Sequence, residues 1–405
     1  MNTDEVYNKL LVPNDTKLAL VVLDGLGDIA TESTGFRTPL EAARTPNLDM
    51  LAKRSALGRM IPVAHGITPG SGPGHLGLFG YDPLEYEVGR GVIEALGLGI
   101  DLKHGDVAAR ANFCSLDAKG IVTDRRAGRI DTKVTEAQCA ILAAKIKKIG
   151  DAEVIIKAGK GHRFVVVFRG KGLEGPLSDS DPHREGLPIA TAKPLAKSAK
   201  AAKTAKLVAE FYKKALPLLK DCKPANGFLL RGIAHQPHIP LFEERYGLKA
   251  AAIAIYPMYK GLAQLVGMKK VQGPATVNEE FAAAVDAIKA YDFVFVHVKG
   301  TDMYGEDGNF DGKVKAIEEA DAALAQLLPQ IDVLAVTGDH STPVPVKGHS
   351  WHPQPVMICG EIAGWDGQDR FTERTANLGS LGVFEAKYLI RHMQANARRL
   401  DKFGA

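Results

Sequence analysis

The chain has 405 residues, enough for two domains with separate cores, and an ordinary globular composition, 45% hydrophobic and 24% charged. A net charge of +4 supplies neither the basic field that nucleic acid requires nor the polybasic face that an anionic membrane attracts, so the expected partner is a small molecule. The four cysteines (Cys114, Cys139, Cys222, Cys359) lack CxxC spacing and are expected as free buried thiols in a reducing cytoplasm; the polar start "MNTDEVYNKLLVPNDTK" has no signal-peptide pattern.

In chain order, the first strand signal is "LALVVLDG", 18–25, followed by "TPLEAARTPNLDMLAKRSA", where Thr45 is expected to cap a helix that starts at Pro46. The stretch "GITPGSGPGHLGLFGYDP", 66–83, reads as a loop running into a helix, with Pro73 in the first turn and Ser71 just before it. The middle of the chain has a different texture. "VAARANFCSLDAKGIVTDRRAG" and "EVIIKAGKGHRFVVVFRG" each suggest two strands joined by a glycine turn, and helices are expected near 135–149 and 192–220. The lysines of the latter helix read as a solvated face rather than an anion site. Strand runs then return at 250–256, 293–298, 333–340 and 355–360, with helical stretches between the first three. This pattern predicts an α/β domain built on a parallel sheet covered by helices on both faces, interrupted by an inserted α+β domain. The expected boundaries are 1–104 with 241–405 for the first domain and 105–240 for the second.

Three of these strands run into aspartates: Asp24, Asp302, and Asp339 with His340 beside it. Ligands bind beyond the carboxyl ends of parallel strands, and three acids gathered there repel one another unless cations lie between them. "TGDHSTPVPVKGHSWHP" adds His340, His349 and His352 on one loop, and mixed Asp/His ligation suits Mn²⁺, Zn²⁺ or Co²⁺ better than Mg²⁺ or Ca²⁺. Taken singly, each aspartate reads equally well as a turn or cap residue. Ser71 at a helix N-terminus has two readings, a capping serine or a nucleophile made reactive by a bound divalent ion. The loop lacks the GK[ST] ending of a nucleotide P-loop. A further pattern, "DGNFDGKVKAIE" at 307–318, matches a calcium loop through Asp307, Asn309, Asp311 and Glu318, although a strand rather than a helix is expected before it.

The stretches "VLDGLGD", "TPLEAARTPNLDMLA", "GSGPGHLGLFGYDP", "GRGVIEALGLGIDL", "GDVAARANFCSLD", "TDRRAGRI", "LLRG", "GTDMYGEDGNFDGKVKAIEEAD" and "TGDHSTPV…KGHS" occur here in order over most of the chain. In them the chain resembles the archaeal-type, 2,3-bisphosphoglycerate-independent phosphoglycerate mutases of the alkaline phosphatase superfamily. The resemblance implies an alkaline-phosphatase-like core with an inserted cap domain, and interconversion of 3- and 2-phosphoglycerate through a phosphoserine on Ser71. It also implies two divalent ions, most often Mn²⁺, with Mg²⁺, Co²⁺ or Zn²⁺ as alternatives. One ion falls to Asp24, Asp339, His340 and Ser71, the other to Asp302, His349 and Glu306. Arg125, Arg126, Arg129, Arg231 and Lys260 are implied to hold the substrate's acid groups. Two positions depart from the family pattern. Glu306 stands where a histidine is usual, which hardens the site and favours manganese or magnesium over zinc. "GSGPGH" lacks the acid and hydroxyl that usually follow the serine, which keeps a phosphohydrolase, or a different phosphomutase, as the alternative reading.

Overall fold

A computed structural model describes residues 3–103 and 105–404. Its strands are β1 (Leu18–Leu23), β2 (Ser55–Ile61), β3 (Val107–Leu116), β4 (Val122–Asp124), β5 (Lys148–Ile149), β6 (Ala152–Ala158) and β7 (Arg163–Arg169), followed by β8 (Gly227–His235), β9 (Ala250–Ala254), β10 (Lys269–Lys270), β11 (Phe293–Val298), β12 (Val333–Thr337), β13 (Gln354–Cys359) and β14 (Gly382–Glu385). The chain divides into two units, Met1–Glu87 with Ile239–Ala405, and Val88–His238. The first boundary thus falls at Glu87, earlier than the expected 104/105, where residue 104 lies outside the described residues. The reason is the Arg90–Gly97 helix, which lies on β3 so closely that a Cβ on Gly91 would collide with the Ala108 backbone.

The first unit holds an eight-stranded sheet in the order β10-β9-β11-β1-β12-β13-β2-β14. β1 is parallel to both neighbours, pairing Leu18 with Phe293 and Val333 and Leu23 with Val298. Every residue of β1, β11 and β12 is buried, because their apolar runs have helices on both sides. Ala19, Val21, Leu23, Val294 and Val296 face a core shared with Leu48, Leu51, Phe281, Ile317 and Leu324. On the opposite face Phe295 meets Phe79 with ring centroids 4.9 Å apart. Each such Leu, Ile or Phe side chain removed from water contributes roughly 1.5–3 kcal/mol. The sheet departs from the expected parallel order at β13, which runs against β12 and β2. No helix lies in the 338–353 connection, and a parallel neighbour needs a crossover.

The second unit is an antiparallel sheet in the order β4-β3-β7-β6-β5, with β8 also on β3. The Thr132–Lys145 and Ala199–Leu219 helices pack on it through Cys139, Leu142, Val208, Phe211 and Ala215. Ser198 caps the longer helix by accepting from Lys200 N and Ala201 N, so the expected start at 192 gives way to a later one. Asp131 likewise starts the shorter helix before 135, and 148–149 form β5 rather than its end.

The calcium-loop reading of 307–318 is corrected. Helices Gly300–Asp307 and Phe310–Leu324 leave only Gly308 and Asn309 between them, where a calcium loop needs about twelve residues. Asn309 Oδ1 accepts from Gly312 N as a helix cap, and Glu318 Oε1 accepts from Arg44 N. Among the described residues no helix is long and apolar enough to cross a membrane. All four cysteines are free thiols, and Cys222 alone is only half-buried.

Candidate active site

Because β1, β11 and β12 run parallel and in register, their carboxyl ends share one edge. Asp24 directly follows β1. Asp302 lies in the first turn of the Gly300–Asp307 helix after β11, and Asp339 and His340 follow β12. β2 points the same way, since antiparallel β13 separates it from β12, and the chain beyond it reaches the Ser71–Leu78 helix. Asp24, Asp302, Asp339 and His340 are all buried.

Ser71 is the first residue of its helix, one position further in than the sequence suggested, and Gly70 is the cap. No side chain caps this terminus, so the Ser71 and Gly72 N–H groups stay available to an anion at the positive end of the helix dipole. The helix is seated against the β12 edge through Gly74, where any Cβ would collide with the Asp339 carbonyl oxygen. This contact brings Ser71 Oγ to 3.2 Å from His340 Nε2.

Two donor sets converge. Asp24, Asp339 and His340 form one, and Asp302, His340 and His349 the other. His340 Nε2 lies 3.3 Å from Asp24 Oδ1 and 3.2 Å from Asp339 Oδ2; both carboxylate oxygens are buried, Asp24 Oδ1 accepts no hydrogen bond, and Asp339 Oδ2 has His75 Nδ1 at 3.1 Å on its other side. Buried carboxylate oxygens converging on an imidazole nitrogen fit a divalent cation well. In the second set His349 Nε2 is 3.6 Å from Asp302 Oδ1 and 3.8 Å from Glu306 Oε1. His349 Nδ1 is turned to the Pro69 carbonyl oxygen at 3.0 Å, which leaves Nε2 facing the acids. The Glu306 carboxylate is 55% exposed, so this set is the more open one. His352 does not stand in for His349: its Nδ1 pairs with Ser350 Oγ at 2.9 Å and its ring stacks on Trp351.

Four groups that sequence reasoning passed over support these ligands. Lys299 Nζ lies 3.0 Å from Asp24 Oδ2, contacts Asp302 Oδ2, and is 3.1 Å from Tyr259 Oη. His297, a polar residue inside the apolar run "FVFVHV", reaches Asp24 Oδ2 through Nε2 at 2.9 Å and stacks on Tyr259. His75 Nδ1 is 2.8 Å from the Ser71 carbonyl oxygen and 3.1 Å from Asp339 Oδ2, linking the serine helix to the ligand loop. Thr342 Oγ1 touches both Asp302 and His340. Burial alone would raise the Asp24 pKa, but the His297 hydrogen bond and the Lys299 charge hold it well below the usual carboxylate range. Asp339 is lowered despite burial and the Asp24 charge, because His340 and His75 lie beside it. Burial pushes His297 down and so keeps it neutral.

Arginines gather on one face of the second sheet. Register sets Arg231 opposite Arg110 and Arg163 opposite Asn112, and the Nε atoms of Arg110, Arg163 and Arg231 are buried without hydrogen-bond partners. Burial and the charges of Arg163, Arg126, Arg110 and Arg129 push the His162 pKa down to about 4, a sign of how concentrated this positive field is. Arg231 stands within ion-pair reach of Asp179 and Asp181, at 3.5 and 3.7 Å. Arg125 is engaged differently from the other predicted arginines: its fork is committed to buried Asp181 through Nε and Nη2, both at 2.8 Å. Lys260, on the Pro257–Leu265 helix of the first unit, sits in the fields of Lys270 and Glu280, and the lysine that reaches the carboxylates is Lys299.

Buried acids and histidines thus lie beside a serine at an uncapped helix terminus, in groups whose ligand atoms are close enough together to hold a metal ion. Residues 52–226 match the family model of 2,3-bisphosphoglycerate-independent phosphoglycerate mutases. Proteins named as probable members of that family are similar over nearly their whole lengths. One from Thermotoga sp. (strain RQ2) is 49% identical over 99% of each chain, and one from Thermus thermophilus is 47% identical over 100% of each. Among solved structures, a Pyrococcus horikoshii protein covers 96% of this chain and 99% of its own at 33% identity and a TM-score of 0.81. The cofactor-independent phosphoglycerate mutase of Thermoplasma acidophilum covers 94% and 99% at 33% identity and a TM-score of 0.73. The chain belongs to the 2,3-bisphosphoglycerate-independent phosphoglycerate mutases, isomerases that interconvert 3-phosphoglycerate and 2-phosphoglycerate.

Proposed function

We propose that the reaction proceeds through a phosphoserine on Ser71 at a centre that takes two divalent cations. Asp24, Asp339, His340 and Ser71 hold one cation; Asp302, His349 and Glu306 hold the other. The observation that carries this reading is the convergence of two buried carboxylate oxygens, Asp24 Oδ1 and Asp339 Oδ2, on His340 Nε2 beside Ser71 Oγ. Bound cations supply Lewis acidity, which makes the serine hydroxyl reactive at neutral pH and offsets phosphoryl charge. Three aspartates and a glutamate among the donors favour manganese, with magnesium, cobalt or zinc as substitutes.

Ser71 Oγ attacks the phosphorus in line and the glycerate hydroxyl leaves, while the Ser71 and Gly72 N–H groups at the helix terminus receive phosphoryl oxygens. The other glycerate hydroxyl then takes the group back from Ser71. Lys299, already between Asp24 and Asp302, adds a fixed positive charge beside them. In the second unit, residues 88–238, the Arg110, Arg163 and Arg231 face suits a small anion with a carboxylate or phosphate, and we assign substrate binding to it, with Arg126 and Arg129 contributing charge. A cytoplasmic location fits a substrate of central carbon metabolism.

The test is to strip the protein of metal, reload it with Mn²⁺ and supply 3-phosphoglycerate without bisphosphoglycerate, following 2-phosphoglycerate and free phosphate together. The expected result is 2-phosphoglycerate with little free phosphate, lost in Ser71→Ala. Free phosphate as the main product would contradict the mutase mechanism and turn attention to the altered "GSGPGH" loop.

A further inference from the structure

Thr342 is fully buried and fixed on every side. Its N–H points at the Gly25 and Gly27 carbonyl oxygens at 3.3 and 3.1 Å, and its own carbonyl oxygen accepts from Lys313 Nζ at 2.9 Å. Lys313 is itself buried and paired with Asp28 at 2.8 Å, so the anchor is an internal ion pair rather than a mobile surface lysine. The space for the side chain comes from two glycines. A Cβ on Gly25, which has φ +64°, would collide with Thr342 Oγ1, and one on Gly305 would lie 2.9 Å from Thr342 Cγ2.

Held in this way, Oγ1 has two polar neighbours, Asp302 Oδ1 at 2.7 Å and His340 Nδ1 at 3.0 Å. A threonine hydroxyl has one proton to give, and an ionised carboxylate can only accept. The proton therefore goes to Asp302, and the oxygen accepts from His340, whose Nδ1 must carry the ring proton. In the neutral ring Nε2 then carries the lone pair that a cation needs, and it is Nε2 that faces Ser71 Oγ, Asp24 Oδ1 and Asp339 Oδ2 within 3.3 Å.

We propose that Thr342 is a positioning residue for the cation centre: it holds His340 in the Nδ1-protonated tautomer with Nε2 presented to one cation, and ties that ring to Asp302 of the other set. This rests on the reading of Asp302 and His340 as cation ligands. Partners that orient a ligating histidine typically change metal affinity 10–100-fold when removed.

The experiment compares Mn²⁺ binding by calorimetry in wild type, Thr342→Val and Thr342→Ser, and reads the His340 tautomer from imidazole ¹⁵N shifts in the metal-free full chain. The expected result is Mn²⁺ affinity weakened about 10–100-fold in Thr342→Val and retained in Thr342→Ser. His340 is expected to be protonated at Nδ1 in wild type and Thr342→Ser and to lose that preference in Thr342→Val. Equal Mn²⁺ affinity in wild type and Thr342→Val, or a wild-type His340 that carries no proton on Nδ1, overturns the inference while leaving the cation reading intact. A wild-type protein that takes up no Mn²⁺ overturns the cation reading itself and the inference with it.

Discussion

Lys299 occupies the position where three carboxylates most need a positive charge. Its ammonium spans Asp24 Oδ2 and Asp302 Oδ2, the oxygens turned away from His340 and His349, so it can stay in place when cations bind on the other side. Asp24 and Asp302 raise its pKa against the burial that would lower it, so it is charged at neutral pH. Lys299→Met leaves two buried acids facing each other. In chelator-treated protein this change is expected to cost on the order of 3 kcal/mol by denaturant unfolding, with part of the loss recovered on adding Mn²⁺. An unchanged midpoint in chelator would show that the lysine does not neutralise the acids. In the second unit, Arg110→Gln is expected to raise the KM for 3-phosphoglycerate about tenfold or more, because a charged hydrogen bond to the substrate is lost. Arg125→Gln should instead lower stability by about 2 kcal/mol with little change in KM, since its fork serves Asp181. Reversal of these two phenotypes would reassign the arginines.

The Ser71–Leu78 helix reaches its place by close backbone approach rather than by an apolar stripe, and Gly74 is the point of contact with Asp339. Gly74→Ala should destabilise the protein by about 1–3 kcal/mol and reduce kcat more than it raises KM, because the shift displaces Ser71 from His340. Kinetics and denaturant unfolding on the same preparation check both. The strands carrying the aspartates were legible because each is a largely apolar run with an acid at, or within four residues of, its carboxyl end. β2 was not, since Gly58 and Arg59 interrupt its pattern; Gly58 is there because β14 passes so near that a Cβ would lie 2.7 Å from Gly382 O. Thr342 sits inside a quoted motif and Lys299 directly before one, yet their roles depend on which way a side chain leaves the backbone, and that follows from register and packing. His297 did leave a trace, a lone polar residue in an apolar strand. Of the arginines, "DRRAGR" drew attention by density, whereas Arg110 and Arg163 meet only through strand pairing.

Each of the two units has its own core, so stability is spread over both, while the titrating acids of greatest consequence lie in the first. Glu280 is buried, with Oε1 accepting from Ile255 N at 2.7 Å and Oε2 without a partner, and burial pushes its pKa from 4.5 to about 8. A carboxyl whose folded pKa is raised favours the folded state most at low pH. Its contribution is full below about 4.5 and is lost as pH rises toward about 8. Glu280→Gln, which keeps the Oε1 acceptor, should flatten the decline in stability of chelator-treated protein across that window. A decline of unchanged slope would contradict the assignment. The proposed chemical event is transfer of the phosphoryl group to Ser71 and back. The most direct test is to mix Mn²⁺-loaded enzyme with 3-phosphoglycerate, quench in acid within the first turnovers, and map phosphate by peptide mass spectrometry. Phosphate is expected on Ser71, in the peptide that contains "GSGPGH". Turnover without a phosphopeptide, or with phosphate on another residue, would contradict it.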